Sequence, residues 1–239
     1  MRKMSLSLII SLLTQFAFAQ DMEVHFVADG KIIQDATKAK ELILLKAFND
    51  SCYERKDYKM NGPLLKTQTF KDIDLKILHG PYQEYHKNGQ VWVNGQFENG
   101  KKEGRWTYYN VKGKYLSRNM FQNDSLIETL PPPPNNDKKY PDEKEAQFSG
   151  GISALRNFLV NNLNADIGLH TKNGGKILVS FIVSTSGKVE NKFIFKSVHP
   201  LLDEEALRVI GLMPDWEPAF QNGKHVKGYF IQPISFAVE

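Results

Sequence analysis

Apolar positions follow two regimes along this chain. In the C-terminal stretch they alternate between helical and strand spacing. Ile152, Leu155, Leu159 and Leu163 fall on one helix face, and Phe148 extends that stripe backwards past Gly150-Gly151. Ile177, Val179, Phe181 and Val183 then alternate as a strand, Ser184 to Gly187 turns, and Val189 to Val198 forms a partner strand ended by His199-Pro200. Leu202, Ala206, Val209, Ile210 and Met213 make a second helical stripe, stopped by Pro214. Asp203, Glu204 and Glu205 sit in its first turn, where carboxylates favour the positive end of the helix dipole. Trp216 and Pro218 pack the connection, Asn222-Gly223 turns, and Lys227 to Val238 is a last strand. The order helix, strand, strand, helix, strand predicts a three-stranded antiparallel sheet with helices on one face.

The first half reads differently. The segment from His79 to Tyr85 is answered 24 residues later by Glu103 to Tyr109. Gly80 matches Gly104, Tyr82 matches Trp106, Tyr85 matches Tyr109, Gly89 matches Gly113 and Phe97 matches Phe121. A weaker copy precedes them at an offset of 27, with Tyr58, Asn61-Gly62 and Phe70, and extra residues near Ile73 to Leu78. Asn88-Gly89 and Asn99-Gly100 supply the positive φ angles of tight hairpins, with Val91, Val93 and Phe97 in near alternation between them. One period is two strands and two turns, so the region predicts an antiparallel β-meander. In the last copy Asn123-Asp124 stands where Asn99-Gly100 stood. Ahead of the repeats, Met22 to Val27 alternates like a strand and Asp29-Gly30 turns. Ala36, Ala39, Leu42, Leu45 and Phe48 then fall at helical spacing, which predicts a short helix feeding the meander.

Composition refines the organisation. Residues 131–147, PPPPNNDKKYPDEKEAQ, have almost no apolar content and predict a Pro-rich spacer, reaching roughly 50 Å if its 17 residues extend at about 3.1 Å each. Residues 1–19 read as a signal peptide: a basic start, an apolar run from Leu6 to Leu13, and Ala17-Phe18-Ala19 before a cleavage that leaves Gln20 first. An uncleaved anchor is the rival reading. The domains are thus 1–19 signal, 20–130 repeat β domain, 131–147 linker and 148–239 C-terminal domain, an α+β chain exported to the periplasm or cell envelope. Without Arg2 and Lys3, 29 basic residues face 27 acidic ones, which gives no case for nucleic-acid binding. Cys52 is the one cysteine, so no internal disulfide forms, and it reads as a partly buried small hydrophobe.

Two family resemblances follow from these motifs. G-x-(Y/W)-x-x-Y-x-x-x-G with aromatic-x-N-G-K-K-x-G, over about residues 55–124, resembles the variant MORN repeats of many bacterial exported proteins. F-x-G-G at Phe148–Gly151, the run GKILVSFIV, L-L-D-E-E-A at Leu201–Ala206, M-P-x-W-x-P at Met213–Pro218, N-G-K at Asn222–Lys224 and P-I-S-F at Pro233–Phe236 resemble the C-terminal domain of TonB-like proteins. The family commonly places Tyr-Pro after the first helix, whereas Leu163-Asn164-Ala165-Asp166 stands here. A working TonB is also anchored in the inner membrane, and a 17-residue spacer is short for crossing a periplasm.

These readings point to binding rather than chemistry. G-x-S-x-G, H-E-x-x-H, P-loop and G-x-G-x-x-G motifs are absent from the sequence, and the six histidines lack metal-ligand spacing, so we expect no enzyme activity, no cofactor and no metal. Proline cannot donate to a sheet ladder, so Pro233 predicts that the last strand is an edge. The backbone groups of Tyr229, Ile231, Pro233, Ser235 and Ala237 would form its outer side, while Phe230, Gln232, Ile234 and Phe236 bond inward. The TonB resemblance implies that this edge captures an extended segment of an outer-membrane transporter or another envelope protein by β-strand addition, linked to TonB-dependent transport. The edge is alternatively covered by its own chain or by a second copy in a homodimer. A different function class stays open: a scaffold whose sheet, with Tyr82, Tyr85, Trp92, Trp106, Tyr108, Tyr109 and Tyr115, binds protein or glycan, although such aromatics also serve simply as core.

Overall fold

The computed structural model describes residues 22–130, 143–164, 166–169, 171 and 174–236. The expected signal cleavage at Ala17, Ala19 and Gln20, and most of the Pro-rich spacer, lie outside the described residues. The chain divides into two units, Met1–Pro133 and Pro134–Glu239.

The N-terminal unit is a single ten-stranded antiparallel sheet. Its strands are β1 (Met22–Ala28), β2 (Lys31–Ile33), β3 (Glu41–Asn49), β4 (Cys52–Lys59), β5 (Leu64–Phe70), β6 (Leu78–Tyr85), β7 (Val91–Glu98), β8 (Lys101–Tyr109), β9 (Tyr115–Gln122) and β10 (Ser125–Leu130). From β3 to β10 each strand pairs with the next in sequence, and β1 and β2 close the other end. The repeat is visible as one bonding pattern used three times, with the positive φ at Asn61 in the first copy and at Gly89 and Gly113 in the later ones. Lys59 N–H donates to the Pro63 carbonyl, His86 to Gln90 and Asn110 to Lys114, each with an inner bond from Gly62, Gly89 or Gly113. The turns at the opposite end are of another type. Asn99-Gly100 has φ of 51° and 82°, and Asn123-Asp124 keeps that geometry at 50° and 70° without a glycine. Asn88 differs from the expectation: only Gly89 of that pair has positive φ.

One face of the sheet holds an aromatic core. Tyr82, Val93 and Trp106 are buried, with Leu78, Phe97, Tyr108 and Phe121 packed on them. The aromatic residues of the repeats pack edge-on in a row: Tyr82 against Phe97 at 5.0 Å, Phe97 against Trp106 at 5.1 Å and Trp106 against Phe121 at 6.1 Å. Such edge-on pairs contribute about 0.5–1.5 kcal/mol each beyond their area. The expected helix over Asp35 to Phe48 is replaced by a 3-10 turn at Ala36–Lys38 followed by β3. Leu42, Ile43 and Leu44 are consecutive and all buried, which a strand flanked by β1 and β4 achieves by sending successive side chains to opposite faces. Their helical spacing was a by-product of a dense apolar run.

The C-terminal unit contains α1 (Gly151–Asn162), α2 (Asp166–Leu169), β11 (Gly175–Val183), β12 (Val189–Lys196), α3 (Pro200–Gly211), β13 (Ala219–Gln221), β14 (Lys224–Val226) and β15 (Gly228–Phe236). β11 is central in an antiparallel sheet ordered β12-β11-β15, and β13 and β14 form a separate hairpin around the expected Asn222-Gly223 turn, two short strands that the sequence reading did not assign. Ile177, Val179, Phe181 and Val183 of β11 are buried with Leu201, Leu202, Ala206, Val209 and Ile210 of α3. The buried side of α1 differs from the expected stripe: Leu155 is buried and Phe158 lies 5.6 Å from Phe148, while Ile152 is 76% exposed. Helical geometry, at about 3.6 residues per turn, puts Ile152 on the flank of a face centred between Leu155 and Phe158. Residues 144–147, expected as the end of the spacer, run against this unit: Lys144 bridges Phe220, Gln147 bridges Glu217, and Ala146 is buried between them.

Candidate functional site: the outer edge of the C-terminal sheet

β15 is held from the inside by an aromatic cluster. Phe230 stacks on Phe181 at 5.6 Å and meets Trp216 at 4.9 Å, and Phe148 closes on Trp216 at 5.5 Å. Trp216 is itself fixed by a bond from its backbone N–H to the Gly187 carbonyl. Ile234 and Phe236 are buried on the same side. Alternation along the strand therefore leaves Tyr229, Ile231, Pro233 and Ser235 exposed on the other face.

The pairing fixes which backbone groups are free. Pro233 lies opposite Leu178 and has no N–H, so this pair is a non-hydrogen-bonded one. Ile231 opposite Ser180 and Ser235 opposite Lys176 share its phase. Their N–H and C=O groups point away from β11, and among the described residues no strand receives them. The structure thus places Tyr229, Ile231, Pro233 and Ser235 together along one edge, while Ala237 lies outside the described residues.

This edge differs from the others. β15 pairs with β11 over nine consecutive positions without a register shift. β12, at the opposite edge, shifts register twice and carries Asn191 at a φ of 50°. β10 is interrupted between Leu126 and Glu128, and β2 has three residues. Bulges and short strands blunt edges against pairing, so β15 is the long, regular one among the ends of the two larger sheets.

Sequence reasoning missed the polar scaffold beneath the sheet. Glu205 is completely buried, accepting two 2.7 Å bonds from Arg208 and a third, also 2.7 Å, from the Asn164 N–H. Arg208 reaches on to the Asn162 carbonyl at 2.6 Å. The pair therefore ties the end of α1 to α3 at the place where the family's Tyr-Pro is missing, and the bond to Glu205 raises the Arg208 pKa further. Asp203, also fully buried, accepts from Ser197 Oγ and the Val198 N–H. Asp203 keeps its expected place in the first turn of α3, whereas Glu205 lies beyond that turn and is held by its ion pair with Arg208. The signal that was available was the i,i+3 spacing of Glu205 and Arg208. His199 caps α3, its Nδ1 accepting from the Leu201 N–H, and burial pulls its pKa down to about 4.

Among the described residues no group of three or more His, Cys, Asp or Glu side chains is placed to hold a metal ion, and no helix is long and apolar enough to cross a membrane. Residues 169–238 match the family model described as Gram-negative bacterial TonB protein C-terminal, a match that starts after α1 and takes in all of the described sheet. No curated protein and no solved structure matches the chain. With that match resting on the strands and helix just described, the C-terminal unit carries a TonB C-terminal domain over residues 169–238.

Proposed function

We propose that this protein works by binding, without catalysis, and that β15 takes up an extended segment of an outer-membrane transporter or another envelope protein as an added strand. The observation that carries the reading is the uninterrupted nine-position edge, with Pro233 setting its outer phase. Main-chain groups of Ile231, Pro233 and Ser235 supply the ladder, and exposed Tyr229 and Ile231 supply apolar contact for alternate side chains of the added strand. The MORN-like sheet and the expected signal peptide suit an exported protein in which this domain is a binding head rather than a complete energy transducer.

Photo-crosslinkers at Ile231 and Ser235 in the full chain, expressed in cells, test the reading. The expected result is capture of an outer-membrane protein at both positions. Capture at Trp92 or Tyr109 with none at β15 would instead support the scaffold reading, which the 43% exposure of Trp92 favours.

A further inference from the structure

The sheet of the C-terminal unit is clad on one face. Ile177, Val179, Phe181 and Val183 of β11 are 0–1% exposed, whereas Leu178, Ser180 and Ile182 between them are all partly exposed. Direct cross-strand partners share a face, which carries this second face onto the flanking strands. On β15, Pro233, Ile231 and Tyr229 lie opposite Leu178, Ser180 and Ile182; on β12 the partners of the same three are Lys196, Phe193 and Glu190. The two register shifts of β12 fall between these pairs and leave the pairs themselves in place. Burial agrees: Ile194, opposite Val179, is 2% exposed, while Lys196 and Phe193 are half-buried and Glu190 is exposed. None of the second-face residues just named is buried, and Tyr229 and Ile231 are 68% and 49% exposed.

This face is apolar over most of its extent and carries opposite charges at the two ends of one strand, with Glu190 and Lys196 flanking Phe193 on β12. A contiguous exposed apolar patch with a charged rim marks an interaction surface. The pattern is self-complementary under one two-fold rotation. With the axis between the two faces, running across the strands and through the Ser180 row, the Ile182 row of one copy lies over the Leu178 row of the other. Glu190 then meets Lys196 of the second copy, twice by symmetry. Tyr229 meets Pro233, Leu178 meets Ile182, and Ile231 and Phe193 each meet their own counterparts. An axis along the strands instead sets Glu190 over Tyr229 and Lys196 over Pro233, which leaves both charges against uncharged groups.

We propose that this face binds a second copy of the chain, sheet on sheet, in a two-fold dimer. Antiparallel sheets pack in this way about 10 Å apart, with strand directions within about 30° of each other. With strands about 4.8 Å apart and rows about 7 Å apart, the patch measures roughly 15 by 20 Å, the size of a weak and reversible interface. The outward main-chain groups of β15 point within the plane of the sheet, so the dimer leaves that edge open. The proposal therefore does not rest on strand addition at β15. An extended peptide needs that edge rather than the face, and an anionic lipid surface would be opposed by Glu190.

Sedimentation equilibrium of the full chain, at concentrations up to about 0.5 mM, tests it. The expected result is a concentration-dependent equilibrium between monomer and dimer. Glu190→Lys and Lys196→Glu each set like charges against one another at two symmetric contacts, and each should weaken dimerisation about tenfold. Combining the two reversals should restore it. Ser180→Asp, in the middle row, brings two carboxylates together across the axis and should abolish it. Unchanged melting temperatures verify that the variants fold, and the charge reversals keep the test in force if Ser180→Asp does not. A monomer over the whole range overturns the proposal. So does a dimer that the single reversals leave intact, as pairing through the β15 edge would give, or a loss that the combined reversal fails to repair.

Discussion

A methyl group added to Gly187 would lie 2.2 Å from the Trp216 carbonyl oxygen, and the residue sits at a φ of +89°. Both facts come from the turn between β11 and β12, which bonds the Trp216 segment onto the sheet. Gly187→Ala is therefore expected to cost on the order of 3–5 kcal/mol, by backbone strain plus displacement of the aromatic cluster that holds Phe230 and β15. Urea denaturation measures it, and an unchanged midpoint would refute the clash. In the other unit, Gly95 plays a related part with a different neighbour. A Cβ there would lie 2.3 Å from the buried Trp106 ring, so this position admits the indole only because it lacks a side chain.

Elements in the C-terminal unit are fastened by buried polar groups, and two predictions belong here. His199 has a pKa of about 4 in the folded chain against an ordinary value of 6.5. Between those limits the unfolded chain binds more protons, so stability present at neutral pH is lost as pH falls from about 6.5 toward 4. A loss of about 2 kcal/mol is expected between pH 7 and pH 5. His199→Asn keeps a capping side chain and should flatten that dependence in urea midpoints taken at the two pH values. Glu205→Ala strands Arg208 and frees the Asn164 N–H; about 2–3 kcal/mol is expected in the same assay, below the value for a fully buried pair because water reaches Arg208. The contrast with legibility is instructive. β11 and β15 could be read from alternation and from Pro233, because strand period and proline chemistry are local. The Glu205 hub could not, since an acidic triplet near a helix start looks the same whether it faces water or the core. The misread helix before β3 has the same origin: Leu42 to Leu45 is apolar enough to satisfy either period, and only the neighbouring strands decide.

Over the whole molecule, each unit closes its own core, one around Tyr82, Val93 and Trp106 and one around β11 and α3. Thermal unfolding is expected to show separable transitions. Val179→Ala, which removes a completely buried side chain, should lower one transition by roughly the 1–3 kcal/mol of a core truncation and leave the other in place. Calorimetry of the full chain decides this, and a common downward shift of both transitions would count against it.

From β3 onward every strand of the long sheet pairs with its neighbour in sequence, and the closing bond recurs at Lys59, His86 and Asn110. Such wiring makes length a free variable. Excising residues 80–103 joins His79 to Gly104, a glycine in the place of a glycine, and removes one repeat of 24 residues. The remaining strands should re-pair in register, giving a sheet shorter by two strands with its circular dichroism per residue unchanged. The repeat region would then act as an adjustable ruler, whose reach can be altered by gain or loss of whole periods while the C-terminal unit stays as it is.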